Sequence, residues 1–287
     1  MNVVDETEID LKRLVEIDFG PFDSSTDLWR AILDWIHFRA RRVHRRSRHV
    51  TMSPEVFAKR SSFPSIGQIA DAISLGDDVS PWLSDSIRDD RSNPKADLMF
   101  NDWQINHFHL GRIFSTPDSA RRTGNLLFAY LNRNHAVLLD IQPHGTWTMQ
   151  MFLEILFRTS PSDILRYELK GVIGTTNSYT ADEMYELRKC GMSTFFQIDG
   201  RVFMPPGGGL VTSGHALRFV RFLNLMRRTH RTLLEQIRGG TLPRNLLMSL
   251  AANVGLPVRL GVRMAADELI FFDKNRNFVL VHLPLPH

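Results

Sequence analysis

Apolar residues recur every three to four positions along SSTDLWRAILDWIHFRARRVHRR, the first clearly periodic stretch of the chain. This spacing predicts an amphipathic helix, with the serine and aspartate residues ahead of Leu28 as N-caps. A second, shorter helix is predicted over SIGQIADAISLG. Helical periodicity therefore dominates the first third of the chain.

From Asn101 onward the pattern changes to short strands. INHFHLGRIF, NLLFAYL and AVLLDIQ are rich in aliphatic and aromatic residues and are bounded by turn residues. NLLFAYL and AVLLDIQ flank the polar residues 132–135, which predicts a β-hairpin. We expect the first of the three strands to join the same sheet.

Helices and strands then follow one another without a regular βαβ order. TMQMFLEILFR and TADEMYELRKCG are predicted helices, and Thr180 and Glu183 give the second a capping box. Hairpins are predicted at TFFQIDGRVFM and at the C-terminal strands, with the long basic helix HALRFVRFLNLMRRTHRTLLEQIRGG between them.

This order predicts an α+β fold. We expect an N-terminal helical region, residues 1–95, followed by an α+β domain, residues 96–287, in which a small antiparallel sheet packs with helices. The boundary near residue 95 is predicted because charged residues and turn residues become frequent together just before it.

The composition is that of an ordinary globular protein, because 43% of the 287 residues are hydrophobic and 23% are charged. Cys190 is the only cysteine, which excludes an internal disulfide and the cysteine-based zinc and iron–sulfur sites. The N-terminus has no signal-peptide pattern, and no apolar run approaches the roughly 20 residues of a membrane helix. We therefore expect a soluble, cytoplasmic protein with no membrane attachment.

The net charge is only +4, but the arginines are clustered at the end of the first predicted helix. They can form a solvated helix end that complements the negative end of the helix dipole. They can also contact nucleic acid or a protein partner. The candidate nucleic-acid-binding residues are Arg39, Arg41, Arg42, Arg45 and Arg46.

The segment DWQINHFHLGR carries the most specific candidate chemistry. His107 and His109 are two residues apart on a predicted strand, so their side chains should share one face, and Phe108 and Leu110 should lie on the other. His144 follows a later predicted strand, in a position where loops often present functional groups.

Three interpretations of these histidines are open. They can be hydrogen-bonded core residues, or they can ligate a metal ion together with Asp102 or Asp140, although no complete ligand motif supports this. They can also act as general base and general acid, because the pKa of histidine lies near physiological pH. Nearby arginines would then stabilise a phosphate, so the candidate catalytic residues are His107, His109, His144, Arg112, Arg121 and Arg122.

The loop PPGGGLVTSG, residues 205–214, precedes the long basic helix. Its glycines would let backbone N–H groups approach a phosphate at a helix N-terminus. However, the lysine of a P-loop is missing, and no GxGxxG motif stands in a strand–turn–helix context. We therefore favour a turn that redirects the chain into the helix.

Residues 100–150 resemble the sheet of the RelE- and ParE-like toxins. The shared order is a strand ending in Gly-Arg, a basic turn with Arg121 and Arg122, and the hairpin LLFAYLNRNHAVLLDIQ followed by a loop with a histidine. The resemblance implies metal-independent RNA cleavage, in which a ribose 2′-hydroxyl attacks the adjacent phosphate. Arg121 or Arg122 would match the arginine entering the central strand of the family, and His144 its catalytic position.

The leading hypothesis is therefore a bacterial-type endoribonuclease that acts as a toxin or defence element and needs no cofactor. Its expected partners are RNA or another nucleic acid and a protein that inhibits or activates it. The alternatives are a metal-dependent hydrolase that uses the same histidines, and a non-catalytic protein whose basic helices bind nucleic acid or a partner.

Overall fold

The computed structural model of the chain describes residues 1–22, 25–84, 87, 97–111, 123–145, 150–174, 179–251 and 256–286. The chain forms two compact units, one from Met1–Ile36 with Phe219–Pro286 and the other from His37–Arg218. The second unit contains residues from both sides of the boundary predicted near residue 95. That boundary falls within residues 88–96, outside the described residues, so the division into residues 1–95 and 96–287 stays a prediction.

The structure has an α+β composition. In chain order, the α-helices are α1 Thr7–Phe19, α2 Leu28–Arg41, α3 Pro54–Lys59, α4 Ser65–Leu75, α5 Leu98–Trp103, α6 Met151–Thr159, α7 Pro161–Leu165, α8 Ala181–Lys189, α9 Leu217–Gly239 and α10 Arg244–Ala251. The strands are β1 Val3–Asp5, β2 His49–Met52, β3 Ile105–His109, β4 Asn125–Leu131, β5 His135–Pro143, β6 Phe196–Ile198, β7 Arg201–Phe203, β8 Val258–Ala265, β9 Glu268–Asp273 and β10 Phe278–Pro284.

The first unit contains a four-stranded sheet of order β1-β8-β9-β10. The strands β8, β9 and β10 are antiparallel, whereas β1 pairs parallel to β8, with Val3 opposite Val258. Helix α1 contacts β8 and buries Leu11 and Val15. The predicted closing hairpin and the long basic helix, which is α9, are therefore confirmed.

The second unit contains a four-stranded sheet of order β2-β5-β4-β3. The predicted hairpin of β4 and β5 is confirmed, and β3 pairs antiparallel to β4 as expected. The sheet is not wholly antiparallel, however, because β2 pairs parallel to β5. A four-residue edge strand is too short to show strand periodicity, so the sequence pattern did not separate β2 from the helices around it.

Both faces of this sheet are covered. On one face Phe108, Leu127 and Leu138 pack in a cluster with Ile69 and Ile73 of α4. On the other face a second cluster contains residues of β3, β4 and β5 together with α6, including Ile105, Phe128, Val137, Phe152 and Leu156. Burial on both faces explains why every residue of β3 is buried.

Two local predictions are also confirmed in the second unit. Thr180 and Glu183 form the capping box of α8, with hydrogen bonds in both directions. Strands β6 and β7 pair across Asp199 and Gly200, which both have the positive φ that the turn of a tight hairpin requires. Among the described helices, none is long and apolar enough to cross a membrane.

Candidate functional site

Strand β3 holds His107 and His109 on one face of the second unit's sheet, as predicted. His107 lies opposite Phe128 of β4, and His109 lies opposite Leu126, both members of the cluster that also contains Ile105. Phe108 belongs to the cluster on the other face. The two histidines therefore belong to a tightly packed face of the sheet, with relative exposures of 8% for His107 and 5% for His109.

The carboxylate of Asp97 lies beside His107. The distance from its Oδ2 atom to Nδ1 of His107 is 3.8 Å, and the side chain of His107 is 11% exposed. The other oxygen of Asp97 caps α5 by accepting a hydrogen bond from the backbone N–H of Phe100. Asp97 was not among the predicted site residues, although an aspartate three positions before Phe100 is a typical N-cap signal.

The electrostatic surroundings favour the neutral form of His107. Burial lowers the pKa of His107, the charge of Asp97 opposes this shift, and the charges of His144 and Arg41 add to it. His107 is therefore uncharged at neutral pH. The geometry places the carboxylate of Asp97 beside His107, and the charges of His144 and Arg41 reach His107 through their effect on its pKa.

His144 lies in the turn directly after β5 and is exposed. Its backbone N–H donates a hydrogen bond to the carbonyl oxygen of Gly124, at 2.8 Å, which extends the pairing of β4 and β5. Strand pairing thus fixes the backbone of His144 while its side chain stays accessible to solvent. A buried neutral imidazole and an exposed one are suited to different roles in proton transfer.

Arg41 is buried rather than solvated, with a relative exposure of 2%. Helix α2 ends at Arg41 because Val43 adopts a positive φ, so the later arginines follow the helix instead of forming its last turn. Arg41 continues the row of Leu33 and His37 at four-residue spacing, which is the signal that could have indicated its burial.

The other predicted nucleic-acid-binding residues also differ in exposure. Arg42 lies over the ring of Phe38, and Arg45 forms an ion pair of 2.5 Å with Asp78. Among the five predicted arginines only Arg45 is exposed, whereas Arg39, Arg42 and Arg46 are partly buried. Contact of this segment with nucleic acid stays a prediction.

The remaining predicted site residues are placed as follows. Arg112, Arg121 and Arg122 lie outside the described residues. Within the described part of the chain, no group of three histidine, cysteine, aspartate or glutamate side chains is arranged to hold a metal ion. The two candidate carboxylate ligands are engaged elsewhere, because Asp140 pairs with Lys59 and Asp102 pairs with Arg188, each at 2.7 Å.

The pair of Asp102 and Arg188 is almost completely buried, since both side chains are 1% exposed. The guanidinium of Arg188 also lies over the ring of Trp103, 3.9 Å from its centroid. Burial raises the pKa of Asp102 and lowers that of Arg188, and the attraction between their charges opposes both shifts. This pair fixes α8 against the C-terminal end of α5.

The glycine-rich loop packs against the same end of α5. The backbone N–H of Gly207 donates to the carbonyl oxygen of Asp102, at 2.8 Å. Arg218, just after the start of α9, donates to the carbonyl oxygens of Phe100, Asn101 and Gly207. The loop therefore packs on a helix end through hydrogen bonds, which supports the interpretation as a turn and not as a phosphate-binding loop.

A further buried imidazole lies nearby. His37 has no exposed surface, and its Nε2 atom is 2.5 Å from Oδ1 of Asn101. Its ring centroid is 6.0 Å from that of His215. Burial lowers the pKa of His37 well below its usual value of 6.5, although the hydrogen bond with Asn101 opposes this shift.

The low pKa of His37 predicts loss of stability in mild acid. The unfolded chain binds a proton near pH 6.5 and the folded chain does not, so the contribution of His37 is complete above that pH and is lost as the pH falls towards its folded pKa. Each pH unit in this window should lower the free energy of unfolding by about 1.4 kcal/mol for one histidine.

Urea unfolding of His37→Gln at several pH values should show a shallower pH dependence than the wild type. The exposed His282→Gln should keep the wild-type dependence, and equal slopes for all three proteins would contradict the prediction.

A second group of polar side chains was not predicted from the sequence. The Oγ1 atom of Thr51 is 2.8 Å from Nε2 of His135, and Nδ1 of His135 is 2.6 Å from Oδ2 of Asp163. Asp163 also accepts hydrogen bonds from Asn132 and Ser160. The order of hydroxyl, imidazole and carboxylate is that of a catalytic triad. Here the same carboxylate also joins the β4–β5 turn to the start of α7, which is a structural role.

Of these groups, the one around His107 pairs a buried imidazole with a nearby carboxylate, and the charges of an exposed imidazole and a buried guanidinium act on its pKa. Comparison with protein-family models, curated proteins and solved structures gave no match. The arrangement of side chains around His107 is therefore the basis on which a function can be inferred.

Proposed function

We propose that this chain is a metal-independent nuclease, most specifically an endoribonuclease that acts as a toxin or defence element. The observation that carries the proposal is the surroundings of His107. This uncharged imidazole, with 11% of its side chain exposed, lies 3.8 Å from a carboxylate oxygen of Asp97. The charges of His144 and Arg41 lower its pKa. The resemblance of residues 100–150 to RelE- and ParE-like toxins supports the same reaction.

In this proposal His107 is the general base. Because Nδ1 of His107 faces Asp97, its Nε2 atom is the one that accepts the proton of a ribose 2′-hydroxyl. The oxygen then attacks the adjacent phosphorus, and the bond from phosphorus to the 5′-oxygen breaks. His144 donates a proton to the leaving oxygen, so the products are a 2′,3′-cyclic phosphate and a free 5′-hydroxyl.

Arg41 and His109 have supporting roles. The positive charge of Arg41 stabilises the additional negative charge that develops on the phosphate in the transition state. Its burial strengthens this effect because the surrounding dielectric is low. His109 is the next residue on the same face of β3, and it continues the surface that Phe128 forms beside the ring of His107, with 6.3 Å between the two ring centroids.

The proposal predicts that His107→Ala and His144→Ala each reduce RNA cleavage at least about 100-fold, the lower end of the contribution of a general acid or base. Cleavage of end-labelled RNA would be followed on gels, and the product ends would be identified by their reactivity with phosphatase and kinase. Addition of EDTA should leave the rate unchanged, and His282→Ala, which changes an exposed histidine, is the control.

Circular dichroism would establish that each variant keeps the wild-type fold. Wild-type cleavage rates in both His107→Ala and His144→Ala would exclude this mechanism. Activity that EDTA abolishes would favour a metal-dependent hydrolase instead. RNA binding without any turnover in the wild type would leave the non-catalytic interpretation.

A further inference from the structure

Helix α9 in the first unit carries a cationic surface. Its buried residues are apolar and include Phe219, Phe222, Met226, Leu233 and Ile237. At 100° per residue the exposed arginines fall on the opposite side of the helix, within an arc of about 120°. We call this surface the arginine face of α9; it consists of Arg221, Arg227, Arg228, Arg231 and Arg238.

The middle of the arginine face lines a cavity. Its volume is about 340 Å³, and its walls are formed by Asn224, Arg227, Arg228 and Arg231. This volume lies at the small end of the range of roughly 300 to 1,000 Å³ for ligand-binding sites. All four lining side chains can donate hydrogen bonds, and three of them are cations. The lining therefore suits an anionic group rich in acceptor oxygens.

The arginines of this face are not paired with carboxylates among the described residues. None of its five arginines forms an ion pair within the described part of the chain, whereas Arg30, Arg45 and Arg158 elsewhere all do. Glu235, the one acidic residue in the sequence of α9, is exposed and lies within the same arc, so the arginine face carries five positive charges and one negative charge. One side chain of the cavity is also held in place, because the guanidinium of Arg227 lies over Trp29, 4.8 Å from the ring centroid.

We propose that the arginine face of α9 binds the backbone phosphates of RNA, with one phosphate in the cavity. This inference rests on the proposed function, for which it supplies a substrate-binding surface. Guanidinium groups bind phosphate oxygens in a bidentate manner. From Arg221 to Arg238 the helix rises about 25 Å, so the face spans several phosphates of a polymer.

A membrane surface fits this helix less well than a polyanion does. Amphipathic helices that bind membranes insert their apolar side into the lipid. The apolar side of α9 is already buried in the protein, which leaves the cationic side for a partner. A single strand of RNA needs no apolar contact, since electrostatic attraction and the release of counterions supply its non-specific affinity.

The test is direct binding of a fluorescein-labelled single-stranded RNA to the full chain, measured by anisotropy at several salt concentrations. The protein would carry His107→Ala so that cleavage does not interfere. Adding Arg227→Gln, Arg228→Gln and Arg231→Gln should weaken binding at least tenfold. The slope of log K against log salt should become shallower by about 2, because each phosphate contact on a single strand contributes about 0.7.

The matched control removes three exposed cations from other parts of the chain, by Arg13→Gln, Arg60→Gln and Lys170→Gln. Equal losses of affinity in the two triple variants, or an unchanged salt slope, would overturn the proposal. Binding to vesicles of anionic lipid but not to RNA would also overturn it.

This result is independent of the test of catalysis. If His107→Ala cleaves RNA normally while the arginine variants lose RNA binding, the proposed active site fails and the binding surface stands. If the catalytic histidines are confirmed while the arginine variants bind RNA normally, the reverse holds.

Discussion

Replacing Asp102 with alanine is expected to lower the free energy of unfolding by about 3 to 5 kcal/mol. The reason is the burial of its partner, since Arg188 is 1% exposed and would keep a charge that has lost its carboxylate. A buried charge without a counter-charge costs far more than the pair contributes when it is intact. Urea unfolding monitored by circular dichroism would measure the loss.

The double variant Asp102→Ala/Arg188→Met tests whether the unpaired charge of Arg188, and not the loss of the Asp102 side chain itself, causes the loss of stability. Removing both charges leaves an apolar side chain that can still pack on Trp103, so the double variant should be more stable than Asp102→Ala alone. The explanation would be wrong if the double variant were the less stable of the two, or if Asp102→Ala lost under about 1 kcal/mol.

The second large effect is expected from Gly207→Ala, which should cost about 3 kcal/mol or more. A Cβ atom at this position would lie 2.6 Å from the carbonyl oxygen of Asp102 and even closer to that of Asn101. Neither oxygen can move freely, because both belong to the backbone at the C-terminal end of α5. Overpacking of this kind typically costs about 1 to 3 kcal/mol and occasionally more.

Gly67→Ala is the matched control. Gly67 lies within α4, and a Cβ atom there would meet no atom within 4 Å. Because alanine favours a helix by about 1 kcal/mol relative to glycine, this substitution should leave stability unchanged or raise it. Thermal unfolding of both variants would distinguish the two positions, and similar melting temperatures would contradict the steric argument.

The features of the molecule differ in how far the sequence could predict them. Alternation of two residues placed His107 and His109 on one face, and the β4–β5 hairpin and the capping box of α8 followed from turn and cap residues. Such features depend on neighbours along the chain. The pair of Asp102 and Arg188 joins residues 86 positions apart, and no local pattern indicates it.

Arg41 illustrates a different reason for failure. A run of arginines at the end of a helix indicates solvent exposure, because burying a cation is costly unless other groups compensate it. Its burial depends on how residues far along the chain pack around α2. The members of the site that surround His107 were therefore recognisable only in part, with His144 predicted in the site and Asp97 missed.

The composition of the two units has a consequence for the order of folding during synthesis. The second unit is continuous, from His37 to Arg218, and its sheet is complete once β5 has left the ribosome. The sheet of the first unit needs Val3 to pair with Val258, so β1 must wait until most of the chain has been made. We therefore expect the histidine-bearing unit to fold first, and the unit with the arginine face of α9 to assemble last.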